Sequence, residues 1–496
     1  MDFGRKYRGI IIVLFFFTIG EIKAQDTLNT AFVEKQSYKL YLDKNWNELI
    51  KFGNKAIKND FDYYYLRFRL GTAYFEQKKY LLASTQFQRA LKFYSGDNLS
   101  KEYLYYCYIY TGRYDDARVL SKSFDNNLAQ KTGTDKQSSL SFIQLEGGIK
   151  QSDKANYPHL NSHNDDTHKN DLINDTSIYK NVTYFQLGLG HYIKNRISLF
   201  HAFTYFSQEN THSKNETFTN DIQNTPLFGN DTIKFKSTDK TTQFQYYLNA
   251  NIPLKNNWNI SPAFHFIHKN VSSQVDTSSA IKHPAIAEES ISSNSKTSTS
   301  KENYYIGSIS IQKNVNRFSF AFGSAMLYGI LKETNLQPQP PRMGGPPPRP
   351  ITVTTTLPSV TLFQSNLTVE YSILGNSRIV IGCTGYINYT SKSTVLAPYI
   401  IAHPTYKITL MASYLTNSGD NVLEANAYLI NNSTDNTVSR YAFTCGFQIS
   451  RHIDLYAQYV YENKIESKQS FKYNYNGFFA GIRIKNFNKF TNPKNN

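Results

Sequence analysis

Two groups of residues in this 496-residue chain have types and spacings that could do chemistry. The first is His159, His163 and His168 with Asp165 and Asp166, in the stretch H-L-N-S-H-N-D-D-T-H. Imidazole and carboxylate suit a divalent ion. Their intervals are irregular, the alternative is a solvated polar loop, and no metal ligand is assigned. The second is a set of charges on β-patterned stretches: Glu146, Lys150, Arg378, Glu424, Arg440, Asp454, Arg483 and Lys485. On one wet face they would form a selectivity lining for a charged polymer; the alternative is a lumen filled by mutually paired charges. The spacings H-E-x-x-H, G-x-S-x-G and the P-loop are missing, and no Ser/His pair stands at strand spacing. The expectation is a chain that is not an enzyme and takes no cofactor.

The second group is positioned by a two-residue period that starts at Ser139. Phe185, Leu187 and Leu189 oppose Gln186, Gly188 and Gly190; Phe318, Phe320 and Phe322 oppose Ser319, Ala321 and Gly323. Leu423, Ala425 and Leu429 are assigned in the same way against Glu424 and Asn426. Near the end, Phe478, Ala480, Ile482 and Ile484 share a face, with Gly481, Arg483 and Lys485 on the other. No helix follows to cover this strand. In a soluble protein it would be an exposed edge; in a cylinder it pairs back to the first strand. The apolar set would meet lipid and the polar set a wet lumen.

Turn lengths point the same way. Short turns are expected near Lys194–Arg196, Lys255–Asn257, Asn314–Asn316, Gly375–Ser377 and Arg451–His452. Long polar loops are expected at 151–181, 208–240, 275–301, 333–358 and 464–470. Short turns on one side and long loops on the other is the convention of outer-membrane barrels. Tyr304, Tyr305, Tyr371, Tyr473 and Tyr475 are assigned to an interfacial belt. The proline-rich stretch 337–350 is a candidate plug or surface site, with a solvated loop as the alternative. An even strand total is expected: fourteen, with sixteen as the alternative.

Totals agree with this class. Mean hydropathy is −0.49, which excludes a polytopic helical membrane protein but not a barrel, where only alternate residues meet lipid. The net charge of +16 suits outer-membrane lipid phosphates or an anionic polymer cargo; nucleic acid is not an expected partner of an exported chain. Residues 1–24 carry Arg5, Lys6 and Arg8, then an apolar run, then Ala24, as a cleavable export signal does. The three cysteines, Cys107, Cys383 and Cys445, form no metal or disulfide spacing.

Residues 30–125 follow a helical period instead. Leu70, Gly71, Tyr74, Ala83, Phe87 and Ala90 have the L-G-x-x-Y…A-x-x-x-F-x-x-A spacing that resembles a tetratricopeptide repeat. A step of 34 residues carries Tyr74 to Tyr108 and Ala83 to Ala117, and a step back carries Ala90 to Ala56. The resemblance implies a short binding solenoid of about three repeats. Candidate partner-binding residues are Tyr63, Arg67, Arg69, Tyr105 and Tyr106, the alternative for each being packing between helices.

The expected layout is a signal peptide (1–24), a periplasmic solenoid (25–130), a linker (131–138), an antiparallel transmembrane barrel (139–487) and a polar tail (488–496). That order resembles the outer-membrane exporters of poly-N-acetylglucosamine and cellulose, the surface lipoprotein assembly modulators, and small barrel proteins of the YaiO type. The final hairpins, with Y-L-I-N-N-S…R-Y-A-F-T-C-G-F…D-L-Y-A-Q-Y-V-Y, look nearest the last. The resemblance implies export or translocation of a polymer or protein across the outer membrane. The alternative is a non-conducting anchor whose solenoid recruits a periplasmic or outer-membrane protein partner; a lumen plugged by 337–350 or by paired charges would favour it.

Overall fold

A computed structural model of the chain describes residues 29–153, 174–219, 230–282, 289–337, 351–416, 422–430, 436–465 and 472–485. The export segment 1–24, the cluster of His159, His163 and His168, residues 338–350 and the tail from Asn486 on lie outside the described residues.

Helices come first: α1 (Thr30–Leu42), α2 (Trp46–Lys58), α3 (Tyr64–Glu76), α4 (Tyr80–Phe93), α5 (Asn98–Tyr110), α6 (Tyr114–Ser121) and α7 (Asn126–Thr132). The first helix of each pair starts at Thr30, Tyr64 or Asn98 and the second at Trp46, Tyr80 or Tyr114, so each pair begins 34 residues after the last. Side chains of Asn29, Asn45, Asp97 and Asp125 accept from otherwise orphaned first-turn amides. The repeated small and aromatic positions are the core: Ala56, Ala83, Ala90 and Phe87 are fully buried, and Tyr74 and Tyr108 nearly so. Even a polar bond repeats, since Asn54 donates to the Tyr74 hydroxyl at 3.0 Å and Gln88 to the Tyr108 hydroxyl at 2.6 Å. At Gly71 an added Cβ would lie 2.7 Å from the Phe87 ring. Glycine is what lets α3 and α4 close.

The strands follow: β1 (Leu140–Ser152), β2 (Asn174–Ile193), β3 (Ile197–Thr219), β4 (Asn230–Pro253), β5 (Trp258–Lys282), β6 (Glu289–Val315), β7 (Phe318–Gln337) and β8 (Ile351–Ser372). Next come β9 (Ile379–Asn388), β10 (Ser393–Thr405), β11 (Ile408–Leu415), the short β12 (Leu423–Glu424) and β13 (Leu429–Ile430), β14 (Asn436–Gln448), β15 (Ile453–Ile465) and β16 (Lys472–Lys485). Fourteen of them close an antiparallel barrel in which β1 pairs with both β2 and β16, while β12 and β13 pair only with each other. The register at the seam sets Gly147 against Ala480 and Leu145 against Ile482. The C-terminal strand closes the cylinder because its apolar face continues the outer face of β1.

The period of two sorts the wall. Phe185, Phe320, Phe322, Leu367, Ile381, Phe443 and Phe478 all stand on the exposed outer face. Gln144, Gln186, Gln243, His265, Gln364 and Glu462, at polar positions of the wall strands, are buried inside. The short turns are tight. Lys194 and Asn195, and likewise Asn256 and Asn257, have consecutive positive φ values, the geometry of a two-residue hairpin turn, which asparagine tolerates.

Three expectations are corrected. The polar segments 208–240 and 275–301 are largely strand, not loop: β3 and β4 stay paired to Thr219 and Asn230, and β5 and β6 to Lys282 and Glu289. Serine, threonine and valine fit a pleated ladder without needing an apolar face. With 25 and 27 residues, β5 and β6 far exceed the roughly 9–11 that cross a bilayer. In the proposed belt, Tyr305 is exposed outside, but Tyr473 and Tyr475 are buried and Tyr304 packs against an inner cluster, as neighbouring strand positions must alternate. Finally, Leu423–Leu429 is not part of the wall.

Candidate functional site: the lumen and its two closures

A fourteen-stranded barrel is wider than one that its own side chains can fill. Residues 422–430 occupy that space. They leave the long-loop end after β11 and run back into the lumen as the β12–β13 hairpin. Leu423 and Ala427 pack in a buried cluster with Ile267, Ile306, Ala325, Leu327 and Leu362 from β5 to β8. Val422 joins Tyr386, Val395 and Leu415 on the other side. The hairpin thus crosses the barrel.

Polar side chains of the wall hold its main chain. Gln364, almost fully buried, donates to the Leu423 carbonyl at 2.7 Å and accepts from the Leu423 amide at 3.1 Å. Its amide copies a strand bridge. The Asn426 carbonyl accepts from Tyr247 at 3.2 Å and from Ser308 at 3.0 Å, and its side chain donates to the Ser261 carbonyl at 3.0 Å. His265 Nδ1 donates to the Ala427 carbonyl at 2.9 Å. Tyr428 donates to Gln186 at 2.5 Å. The hairpin's one charge, Glu424, pairs with Arg440 on β14.

Most of the charges assigned to the lumen belong to mutual pairs. Lys150 pairs with Glu462 at 2.9 Å and Lys485 with Asp454 at 2.7 Å. Glu146 accepts from Tyr456. Arg483 donates to Gln144 at 2.7 Å and lies 4.8 Å from the centre of the Phe142 ring. Two of the eight are placed otherwise: Glu424 reaches the lumen from the hairpin, and Arg378 is exposed in the turn before β9. The proline-rich candidate plug lies, from residue 338 on, outside the described residues.

The second closure is the helical module, which sits on the short-turn end. The asparagines that turn the chain also present their amides to it. Arg113 donates to Asn257 at 2.8 Å, and Arg118 to Asn195 at 2.8 Å. Gln88 exchanges hydrogen bonds with Asn257. Asn376 donates to the Lys78 carbonyl and Ser377 to the Tyr110 carbonyl, both at 3.2 Å. Arg118 also lies 3.9 Å from the centre of the Tyr192 ring, and burial pulls its pKa below the usual guanidinium value. Asp115 accepts from Tyr192 at 3.0 Å, from Ser198 at 2.9 Å and from Asn251. Between module and barrel lies a cavity of about 510 Å³, lined on one side by Thr111, Arg113 and Asp116 and on the other by Tyr192, Phe200 and Asn251. Phe200 also meets Tyr428 of the hairpin, with ring centres 5.8 Å apart. Phe200 thus stands between the cavity and the hairpin.

The proposed partner-binding residues are corrected, because the module uses them internally. Tyr105 and Tyr106 are core. Arg69 is buried, with Glu34 at 2.6 Å and Ser37 at 2.9 Å. Arg67 holds Asp62 at 2.6 Å and Gln86 at 2.8 Å. Tyr63 packs against the cluster of Val33, Leu66 and Leu70. The residues that make the two closures, Gln364, Asn426, Asp115 and Arg118, carry no sequence signal of that role. Among the described residues no three His, Cys, Asp or Glu side chains come together as metal ligands would.

No protein-family model matches the chain, and no curated protein matches it. Solved structures match the chain at low identity. The translocator domain of the autotransporter NalP from Neisseria meningitidis is 10% identical, over 77% of this chain and 99% of its own, with a TM-score of 0.31. The transport unit of the autotransporter AIDA-I from Escherichia coli is 9% identical over 76% and 98%, with a TM-score of 0.29. The P. putida toluene transporter TodX is 9% identical over 74% and 95%, with a TM-score of 0.39. Likenesses this distant carry nothing about cargo or partner.

Proposed function

We propose that this chain is an outer-membrane barrel that provides a passage for a solute or an extended polymer, with the helical module at the periplasmic mouth. The observation that carries the reading is the sorting of the wall: an outer face of exposed Phe, Leu and Ile around an interior of buried amides and charges. An apolar exterior needs lipid, and a polar interior this wide needs water or a polar occupant. The short turns face the helical module, which supports a periplasmic module and longer strands reaching outward, as does the export-type segment 1–24. The cavity under the module lies where a substrate would enter.

A second reading, an anchor that holds the module at the membrane, is favoured by the filled lumen and the paired charges. Planar-bilayer recordings separate the two. The expected result is a steady current from a variant in which a short Gly-Ser link replaces residues 422–430, and a much smaller one from the native chain. A silent variant that is still correctly closed as a barrel would leave the anchor.

A further inference from the structure

Is the hairpin a fixed filling or a closure that opens? Three features of its own residues bear on this. First, Ala425, Asn426 and Ala427 have φ values of 47°, 58° and 63°. Three successive left-handed residues, two of them alanine, are a costly backbone that persists only where the surroundings impose it. Here the imposing contacts are those of Tyr247, Ser308, Ser261 and His265 with Asn426 and Ala427. Strain of this kind is released when the hairpin leaves.

Second, the wall is equipped for that departure. Arg440, the partner of Glu424, stands directly opposite Glu462 in the β14–β15 ladder. A cross-strand pair of opposite charges is a favourable arrangement by itself. With the hairpin in, Arg440 serves Glu424; with it out, Arg440 joins Lys150 and Lys464 around Glu462, the carboxylate directly across the ladder. Glu424 loses little, because its second carboxylate oxygen has no hydrogen-bond partner in the lumen among the described residues and would be hydrated outside. Third, beside the apolar contacts of Val422, Leu423 and Ala427, the hairpin is held by hydrogen bonds to its main chain, and water in an opened lumen replaces such bonds at small net cost.

We propose that residues 422–430 are a gate that alternates between two settings of Arg440, closed on Glu424 and open on Glu462. The inference rests on the passage reading above and adds its regulation. Gln364 is the catch of the closed setting, and the strained Ala425–Ala427 turn biases the hairpin toward release.

The test uses the full chain with Cys383 and Cys445 changed to serine; Cys107 is fully buried. Ser308→Cys and Asn426→Cys are combined, since these two side chains are 3.1 Å apart. In planar bilayers the oxidised pair is expected to be silent and the reduced protein to show brief openings, as the parent does. Glu424→Gln is expected to lengthen the open time about fivefold, the scale of a partly buried ion pair with a substitute partner. As a readout independent of cross-linking, Asn426→Cys alone is also probed with a membrane-impermeant maleimide. Labelling should occur, and about fivefold faster with Glu424→Gln. The gate is overturned if the oxidised lock conducts like the parent. It is equally overturned if the parent never opens and Cys at 426 never labels while the variant lacking 422–430 conducts, for the hairpin is then a permanent plug. Silence of that deletion variant removes the passage itself, and the gate with it.

Discussion

Replacing Asp115 by alanine should lift the helical module off the barrel mouth. The carboxylate accepts from Tyr192, Ser198 and Asn251, three donors on the barrel. Hydrogen bonds to a charged acceptor contribute about 1.5–3 kcal/mol each when enclosed. This site is half-open to water, and the freed donors are rehydrated as the module lifts, so about 1 kcal/mol each is the better figure. The total of about 3 kcal/mol is about 150-fold in the docking equilibrium. Hydrogen exchange at Leu81 reads it directly. Leu81 lies in the first turn of α4, where amides have no partner within the helix, and its N–H donates instead to the Gly375 carbonyl of the barrel at 3.0 Å. Its protection therefore measures docking. Asp115→Ala should speed Leu81 exchange about 100-fold while amides in the middle of α4, around Phe87, keep their rates. Unchanged exchange at Leu81 would refute the claim that Asp115 fastens the module.

Other outcomes follow from the same contacts. Phe87 is fully buried and stacks on Tyr103 at 5.0 Å, so Phe87→Ala should cost about 3–5 kcal/mol and melt the helices, while the barrel keeps its heat-modifiable mobility on gels. Hydrogen bonds from Arg69 hold the Glu34 carboxyl below its usual 4.5. Its contribution is therefore complete above that pH and is lost as pH falls through the lower, folded value; Glu34→Gln should flatten the acid side of the module's stability curve, read from helical ellipticity. Burial pushes the Cys107 thiol well above its usual 9.0, so iodoacetamide at pH 8 should modify it only after the helices unfold, as followed by mass spectrometry of the α5 peptide.

The sequence makes the wall legible because lipid and lumen impose a strict alternation on it. Phe318, Phe320 and Phe322 could be placed outside, and the closing role of Phe478–Ile484 read, from that period alone. The repeated helix positions Tyr74 and Tyr108, 34 residues apart, were equally visible, since repeating helix pairs must bury the same small and aromatic positions. What stayed hidden depends on contacts between distant residues. Leu423-Glu424-Ala425-Asn426 alternates as well as any wall strand, and only the positive φ of Ala425–Ala427 and the clamp of Gln364 set it apart. The Ser- and Thr-rich ends of β5 and β6 carry no apolar face, so their pairing left no periodic mark. Arg69 looked like a free cation because its partner, Glu34, lies one repeat earlier in the chain. Asp115 is by sequence an ordinary acidic residue in a helix's first turn, and its hydrogen bonds reach the barrel.

The lipid-facing exterior is the premise on which passage, gate and cap all depend. Adjacent tryptophans test it, with native Trp46 and Trp258 changed to phenylalanine. Leu367 stands on the outer face at 52% exposure, while the hydroxyl of Thr368 bonds to Thr384 on the inner face. In bilayers of brominated phospholipid, Leu367→Trp should lose most of its emission and Thr368→Trp should keep it. Equal quenching at both positions, or none at Leu367→Trp, would contradict a membrane-spanning wall.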